Sequence, residues 1–384
     1  MKVSADGELG YAAAEAEPAG GSGFDVRAGT TEAYPIRVAP GGLARLAEYL
    51  LPLVARLGCT GLFVVSDSNV LRHHQEVLLA QLDRVGLPVA VHRVPVGERN
   101  KNFPSVLALW EAFDAASVRR RTLVISVGGG VVSDVAGFAA HGYLRGLPLV
   151  LVPTTLLAQV DAAIGGKNGV THFGKKNRVG GFHHPKLVLV DPEILKTLPA
   201  HEMSEGMAEA TKIAYLTSDD AVETLWQISR SEHWATAGAL PRMITSSIER
   251  KLQLLRDDPY ESRSLDRALN LGHCFGHPIE QVLHYRVGHG SAVAIGMSLA
   301  GRLGVHRGLV DDDDHRKLRS LLDALGLPAA LEPEYESPLW AALDSVREVR
   351  NGDLRPVIPV RPGEWVYGDD VTRAEWQEIW GASR

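Results

Sequence analysis

The sequence predicts an α/β domain built on a largely parallel sheet, followed by a mainly α-helical domain. Three observations predict it. Short apolar runs at 62–65, 122–127, 149–152 and 187–190 alternate with stretches of helical periodicity. Apart from Thr122 and Ser126 these runs are apolar, so both faces of each strand are expected to be covered by helices. After Pro199 strand signals become sparse and helical ones dominate, which puts the domain boundary there.

Taken in order, residues 1–32 are rich in Ala, Gly and Glu and are expected to form a disordered lead-in. They carry early acidic residues and no apolar stretch of the kind a secretory signal needs. The α/β domain, 33–198, opens with a strand at 34–38 and a helix over 42–57. The strand at 62–65 ends in the polar turn Ser66-Asp67-Ser68-Asn69. A strand at 90–94 leads into Glu98 and Lys101, and a helix follows from about 105 to 116. The strand at 122–127 runs into Gly128, Gly129 and Gly130 and then a helix containing Asp134. Pro153-Thr154-Thr155 ends the next strand, and 187–190 is the last. Ligands of such sheets bind beyond the carboxyl ends of the strands, where these turns lie. The helical domain occupies 199–384.

A chain of 384 residues can bury a core in each of two domains. Its 45% hydrophobic and 22% charged content is ordinary for a soluble globular protein. A formal charge of −6 gives no global attraction to nucleic acid or acidic membranes, so neither is an expected partner. No apolar run approaches the length of a membrane span. Two cysteines, Cys59 and Cys274, lie far apart, which argues against a disulfide framework and for a reducing, cytoplasmic compartment.

The densest set of reactive groups is the run Asn270-Leu271-Gly272-His273-Cys274-Phe275-Gly276-His277, followed by His289. Two imidazoles four residues apart on a helix point to one side, about a turn apart. A third imidazole and a carboxylate from elsewhere can complete an N/O site suited to zinc or a similar divalent ion. Ordinary polar residues at a helix end are the plain alternative. Cys274 occupies a neighbouring helical position that faces elsewhere and reads as packing. Glu209, sharing a helix face with Lys212, is the candidate carboxylate; a surface ion pair is its plain alternative. The glycines 128–130 let a pyrophosphate approach the backbone at a helix N-terminus, although a tight turn uses the same residues. The segment 161–177 sets lysines beside glycines and asparagines, a loop able to cradle a phosphate.

Seven motifs occur in order: Gly-Gly-Gly-Val-x-x-Asp from Gly128, Arg145-Gly146, Pro153-Thr154-Thr155, Asp-x-x-Ile-Gly-Gly-Lys from Asp161, Gly-Lys-Lys-Asn from Gly174, Gly-x-Ala-Glu-x-x-Lys from Gly206, and Asn-x-Gly-His-x-x-Gly-His from Asn270. With this series the chain resembles the sugar phosphate cyclases, whose prototype is 3-dehydroquinate synthase. The resemblance covers roughly residues 33 to 360. It implies an N-terminal NAD-binding domain, a mainly helical metal-binding domain and a homodimer. Matched motif by motif, Glu209, His273 and His289 are implied to hold the metal, zinc or cobalt, with His277 near the transferred proton or phosphate. Lys167, Lys212 and Asp161 are implied to join His277 in catalysis. Lys176, Asn177 and Asn270 are implied to contact the sugar phosphate, with Arg145 reaching its phosphate from the partner subunit. Asp67, Asn69, Glu98, Lys101 and Asp134 are implied to address NAD, together with Gly129, Gly130, Thr154 and Thr155. The reaction so implied is transient oxidation of a secondary hydroxyl, β-elimination of phosphate, return of the hydride and intramolecular aldol closure. NAD is regenerated in each turnover, and the enzyme is a carbon–oxygen lyase.

Dehydroquinate synthases resemble one another in holding a substrate carboxylate with basic side chains, and this chain departs at those positions. Asp266 stands seven residues before His273, where that pattern has arginine. Leu252 stands fourteen residues earlier, where it has lysine, and the late basic segment aligns with Val346-Arg347-Glu348. An aspartate repels a carboxylate and accepts hydrogen bonds from sugar hydroxyls. In Leu252 and Asp266 the chain resembles the cyclases that act on sedoheptulose 7-phosphate. That implies a C7 cyclitol product, 2-epi-5-epi-valiolone or a stereoisomer such as 2-epi-valiolone. Within the family, 3-dehydroquinate synthase and 2-deoxy-scyllo-inosose synthase are the alternatives. Outside it stand a metal-dependent alcohol dehydrogenase and a non-catalytic nucleotide-binding protein.

Overall fold

Stretches of Val, Leu and Ile too short for helices and bounded by turns pair side by side into one sheet. The computed structural model describes residues 11–13, 24–26, 33–230, 238–260, 267–349 and 352–381. In the segment Met1–Tyr34, a unit of its own, β1 (Tyr11–Ala13) pairs antiparallel with β2 (Phe24–Val26). These two strands were not anticipated; the rest of the expected lead-in up to residue 32 lies outside the described residues.

The second unit, Pro35–Arg384, begins with β3 (Ile36–Val38), α1 (Leu46–Leu57), β4 (Gly61–Ser66) and α2 (Ser68–Asp83). It continues with β5 (Val89–Arg93), α3 (Phe103–Ala115), β6 (Thr122–Gly128), α4 (Gly130–Gly142) and β7 (Leu149–Pro153). After the hairpin β8 (Lys167–His172) and β9 (Lys175–Phe182) comes β10 (Leu187–Val190). The main sheet has the order β3-β10-β7-β6-β4-β5, and every pairing in it is parallel. All seven residues of β6 are buried, as a strand covered on both faces requires. From β4 the chain moves outward to β5 and then returns past β4 to β6. The carboxyl ends of β4 and β6 therefore flank a topological switch point.

The segment 161–177 is a correction to the sequence reading. Instead of a lysine-bearing loop it is largely the antiparallel hairpin β8–β9, in register from Lys167 opposite Phe182. Asn168 is buried against α4, where a Cβ on Gly137 would meet its Oδ1 at 1.6 Å. Asp161 precedes the hairpin in a π turn, Ala158–Ala162. Gln159 anchors that turn by donating to Pro153 O (3.1 Å) and Asp191 O (2.8 Å), which fixes it beneath the carboxyl edge of the sheet.

The helical layer comprises α5 (Ala200–Tyr215), α6 (Asp219–Ser229), α7 (Ala239–Leu255), α8 (His273–Val282), α9 (His289–His306), α10 (Asp312–Ala324), α11 (Glu336–Val349) and α12 (Arg373–Gly381). A hairpin, β11 (Val357–Arg361) and β12 (Glu364–Tyr367), packs among them. Helix α9 is buried around most of its circumference, as its small and apolar residues permit. It lies so near the turn into α8 that a Cβ on Gly296 would sit 1.9 Å from Gly272 O. No helix among the described residues is long and apolar enough to cross a membrane.

Candidate active site

Asp161 collects two cations from the helical layer. Lys212 on α5 donates to its Oδ2 at 2.7 Å. Lys251 on α7 donates to its carbonyl at 2.7 Å and also to its Oδ1. Burial works against the carboxylate, but Lys212 and Lys251 outweigh it and hold Asp161 well below the usual carboxylate range. Glu209, one turn before Lys212, lies 2.5 Å from the same ammonium. Their side chains are 1% and 2% exposed, so this is an interior pair rather than a surface one. Burial disfavours the Lys212 ammonium, yet Asp161 and Glu209 more than compensate and raise its pKa.

Two helix starts bring imidazoles to Glu209. The Nε2 atoms of His273 and His289 lie 3.6 and 3.3 Å from Glu209 Oε1. The outer nitrogens are fixed: His273 Nδ1 donates to Leu271 O at 3.1 Å and His289 Nδ1 to Glu280 Oε2 at 3.1 Å. Both Nε2 atoms are thereby turned toward the carboxylate. Glu209 Oε1 is buried and has no hydrogen-bonded partner. One carboxylate and two imidazoles whose ligand atoms lie within 4.8 Å of one another fit a divalent cation. A second group, His277, Glu280 and His289, shares His289 with the first. The rings of His277 and His273 are 5.2 Å apart, and those of His277 and His289 5.9 Å. Burial and Lys212 push His273 down to about 4. Burial, aided by His273, keeps His277 neutral. His289 behaves oppositely: burial opposes its charge, but Glu280, which accepts from its Nδ1, and the nearby Glu209 bring it up to about 9.

From Glu280 the network runs back to the sheet. Its Oε1 accepts from Lys176 at 2.7 Å, and Lys176 also pairs with Glu98 at 2.8 Å. Glu98 lies 3.4 Å from Lys101, which donates to Asp134 at 3.0 Å and to Asn177 at 3.2 Å. With His289 protonated between Glu280 and Glu209, charge alternates from Asp134 on α4 to Lys251 on α7. Five carboxylates (Asp134, Glu98, Glu280, Glu209, Asp161) stand against four ammonium groups. A divalent cation reverses that balance, which suits a phosphorylated ligand.

The β6–α4 turn lies beside this network. Gly129 caps α4 without any side-chain cap, leaving the helix N-terminus to an anion. A Cβ there would approach Thr155 Cγ2 to 2.8 Å. Thr154 N donates to Gly128 O (2.9 Å), and Thr155 Oγ1 accepts from Ala158 N (3.2 Å). Across the switch point, Asp67 accepts from Asn69 N (2.8 Å) and Val70 N (3.0 Å), so its carboxylate caps α2.

Several other residues singled out from the sequence are less buried. Asn69, Lys167 and Arg145 are exposed. Arg145 and the preceding Leu144 hold left-handed backbone, φ 66° and 50°, in the turn after α4. Asn270 is half-buried in the turn Ala268–Asn270 that feeds α8. Asp266 lies outside the described residues. Leu252 is 40% exposed, and its neighbour Lys251 is the residue that reaches Asp161. The two side chains diverge because adjacent helical residues differ by about 100°. Lys251 and Glu280 were missed. Glu280 falls three residues after His277, so helical spacing alone could have marked it.

A nucleotide-type turn and a His–His–Glu donor set, joined by one network of buried charges, define a class of metal-dependent enzyme in which cofactor and cation sites are coupled. Family models for the N-terminal and C-terminal parts of 3-dehydroquinate synthase match residues 91–205 and 206–346. The chain is 38% identical to a 2-epi-valiolone synthase of Stigmatella aurantiaca over 366 residues, 93% of this chain and 90% of the relative. It is 37% identical to a 3-dehydroquinate synthase of Synechocystis over 346 residues, 88% of this chain and 94% of the relative. The solved 2-epi-5-epi-valiolone synthase of Streptomyces hygroscopicus, with NAD+ and Zn2+ bound, superposes with a TM-score of 0.84. That match has 30% identity and covers 93% of this chain and 98% of the other. The protein belongs to the dehydroquinate synthase-like superfamily of sugar phosphate cyclases.

Proposed function

We propose that the protein converts sedoheptulose 7-phosphate to a C7 cyclitol with release of phosphate, using NAD and a divalent cation, zinc or cobalt, and acting as a cytoplasmic homodimer. The product is 2-epi-5-epi-valiolone or its stereoisomer 2-epi-valiolone. The observation that carries the reading is Asp266, an anion at a position where a carboxylate substrate needs a cation. The late segment supports it. Arg347 is engaged with Asp370 (3.1 Å), Asp344 (2.9 Å) and Val371 O (2.9 Å), while Glu348 pairs with Arg178.

When bound, the cofactor and the cation supply a hydride acceptor and a polarising charge. This chain's residues do the rest. Glu209, His273 and His289 would hold the cation, and Glu280 orients His289. His277, neutral at physiological pH, is suited to taking and returning a proton beside the leaving phosphate. Lys176, backed by Glu98 and Glu280, keeps an ammonium in place for that phosphate. Arg145 is proposed to reach the phosphate from the partner subunit. Lys212 and Asp161 form a fixed charge pair against the sugar hydroxyls.

Lys251 favours a second reading, 3-dehydroquinate synthase, because it brings a buried cation to the site; its engagement with Asp161 weakens that claim. Phosphate release from sedoheptulose 7-phosphate, measured beside the dehydroquinate synthase substrate, decides between them. Release from the sugar phosphate alone is expected, without net NADH, and NMR of the product assigns its stereochemistry. Release only from the carboxylate substrate would reverse the reading of Asp266. Net NADH accumulation would identify a dehydrogenase instead.

A further inference from the structure

A second group of buried cations lies at the other end of α9, thirteen residues from His289. At a rise of about 1.5 Å per residue, that is about 20 Å along the helix. Arg302 on α9 is 5% exposed, as is His315 on α10. Arg319, one turn beyond His315 on α10, is half-buried. His315 sits directly on α9, where a Cβ on Gly301 would come within 2.5 Å of its Nδ1. One arm of Arg302 donates to Ile379 O in α12 at 3.1 Å. Its other arm, Nη2, has no hydrogen-bonded partner, nor have Nε of Arg319 and either ring nitrogen of His315.

The nearby carboxylates are committed elsewhere. Asp312 and Asp313 pair with Arg316, and Asp314 pairs with Lys317, all on the exposed side of α10. Among the described residues, no carboxylate forms an ion pair with Arg302 or Arg319. A buried guanidinium without a counter-charge is costly, and several orphaned donors on adjoining side chains call for an occupant. The strain registers on the groups themselves. Burial and the two arginines push His315 down to about 4, and burial and Arg319 push Arg302 down to about 10.

We propose that Arg302, His315 and Arg319 form a binding site for a small oxyanion of the phosphate class, separate from the active site and independent of the reaction proposed above. The forked guanidinium groups supply paired donors, and the imidazole donates or, on protonation, adds charge. Arg319, the least buried of the three, stands at the rim.

The test uses the full-length, cofactor-loaded protein with ring-labelled histidine, the His315 signal being assigned by its absence in His315→Gln. Inorganic phosphate is titrated against chloride at equal ionic strength, with glycerol 3-phosphate as a parallel arm. Phosphate is expected to move the His315 signal saturably, with at least tenfold weaker affinity in Arg319→Gln, a rim substitution that leaves the buried groups in place. Response to phosphate alone assigns a free oxyanion; response to both ligands assigns a phosphoryl group in general. If phosphate moves only the active-site histidine signals, or chloride acts equally, the proposal fails. An unchanged affinity in Arg319→Gln, checked with Arg319→Ala, would also overturn it.

Discussion

Glu280 accepts from His289 with one oxygen and from Lys176 with the other, so a change there acts on both the His–His–Glu set and the Lys176 ammonium. Glu280→Gln is expected to weaken metal binding by about 10- to 100-fold, the usual effect of losing a carboxylate behind a ligating imidazole. Competition with a coloured chelator measures it. His289 supplies a pH dependence. Its pKa near 9 in the metal-free protein lies above the ordinary value, so the stability it contributes is present below about 6.5 and lost as pH rises through 9. Metal binding runs the other way, because the proton on Nε2 must leave. Affinity should therefore rise about tenfold per pH unit between 7 and 9, with one proton released per ion. Calorimetry in buffers of different ionisation enthalpy reads that proton. On α7, Leu252→Ala is expected to leave phosphate release within about twofold, as an exposed site should. Lys251→Met should lower it sharply by uncovering Asp161.

At the level of elements, the start of α9 is held by Glu205 on α5, one turn before Glu209. Its carboxylate accepts from Ser291 N at 3.1 Å and Ser291 Oγ at 2.5 Å; a Cβ on Gly288 would collide with that carboxylate, and one on Gly290 with the Glu205 backbone. One face of α5 thus supplies both the carboxylate of the His–His–Glu set and the clamp that aims the opposing imidazole. The α8–α9 contact is as exacting. Gly296→Ala is expected to cost about 1–3 kcal/mol or more by forcing the helices apart. Thermal melting should show that loss, and metal affinity should fall with it as His273 recedes from His289. The four inner strands of the main sheet, β4, β6, β7 and β10, were legible because residues buried on both faces leave a nearly uninterrupted apolar signature. The β8–β9 hairpin was not, since Gly169, Gly174, Gly180 and Gly181 among lysines and asparagines look like a loop. Motif spacing located Glu209, His273 and His289. The pairings of Glu98 with Lys176 and of Lys176 with Glu280 depend on tertiary folding and carry no local pattern.

Across the whole molecule, sheet and helical layer form one unit, Pro35–Arg384, so ligand binding on either side should stabilise both. Removing the metal with a chelator is expected to lower the melting temperature in a single transition. Free metal at about 100 times its dissociation constant should restore about 2.7 kcal/mol. Two separate transitions would show that the layers unfold independently. Asp266→Arg should reduce turnover of sedoheptulose 7-phosphate, measured as phosphate release, while metal retention stays unchanged. The alternating charges from Asp134 to Lys251 also constrain how such a sequence can diverge. Lys101, Glu98, Lys176, Lys212 and Asp161 each face two opposite charges, so a lone substitution there weakens the relief of two buried neighbours at once, and changes in compensating pairs are favoured. Descent with altered substrate preference is thus channelled toward positions outside the chain of pairs, where one mutation can be accepted at a time.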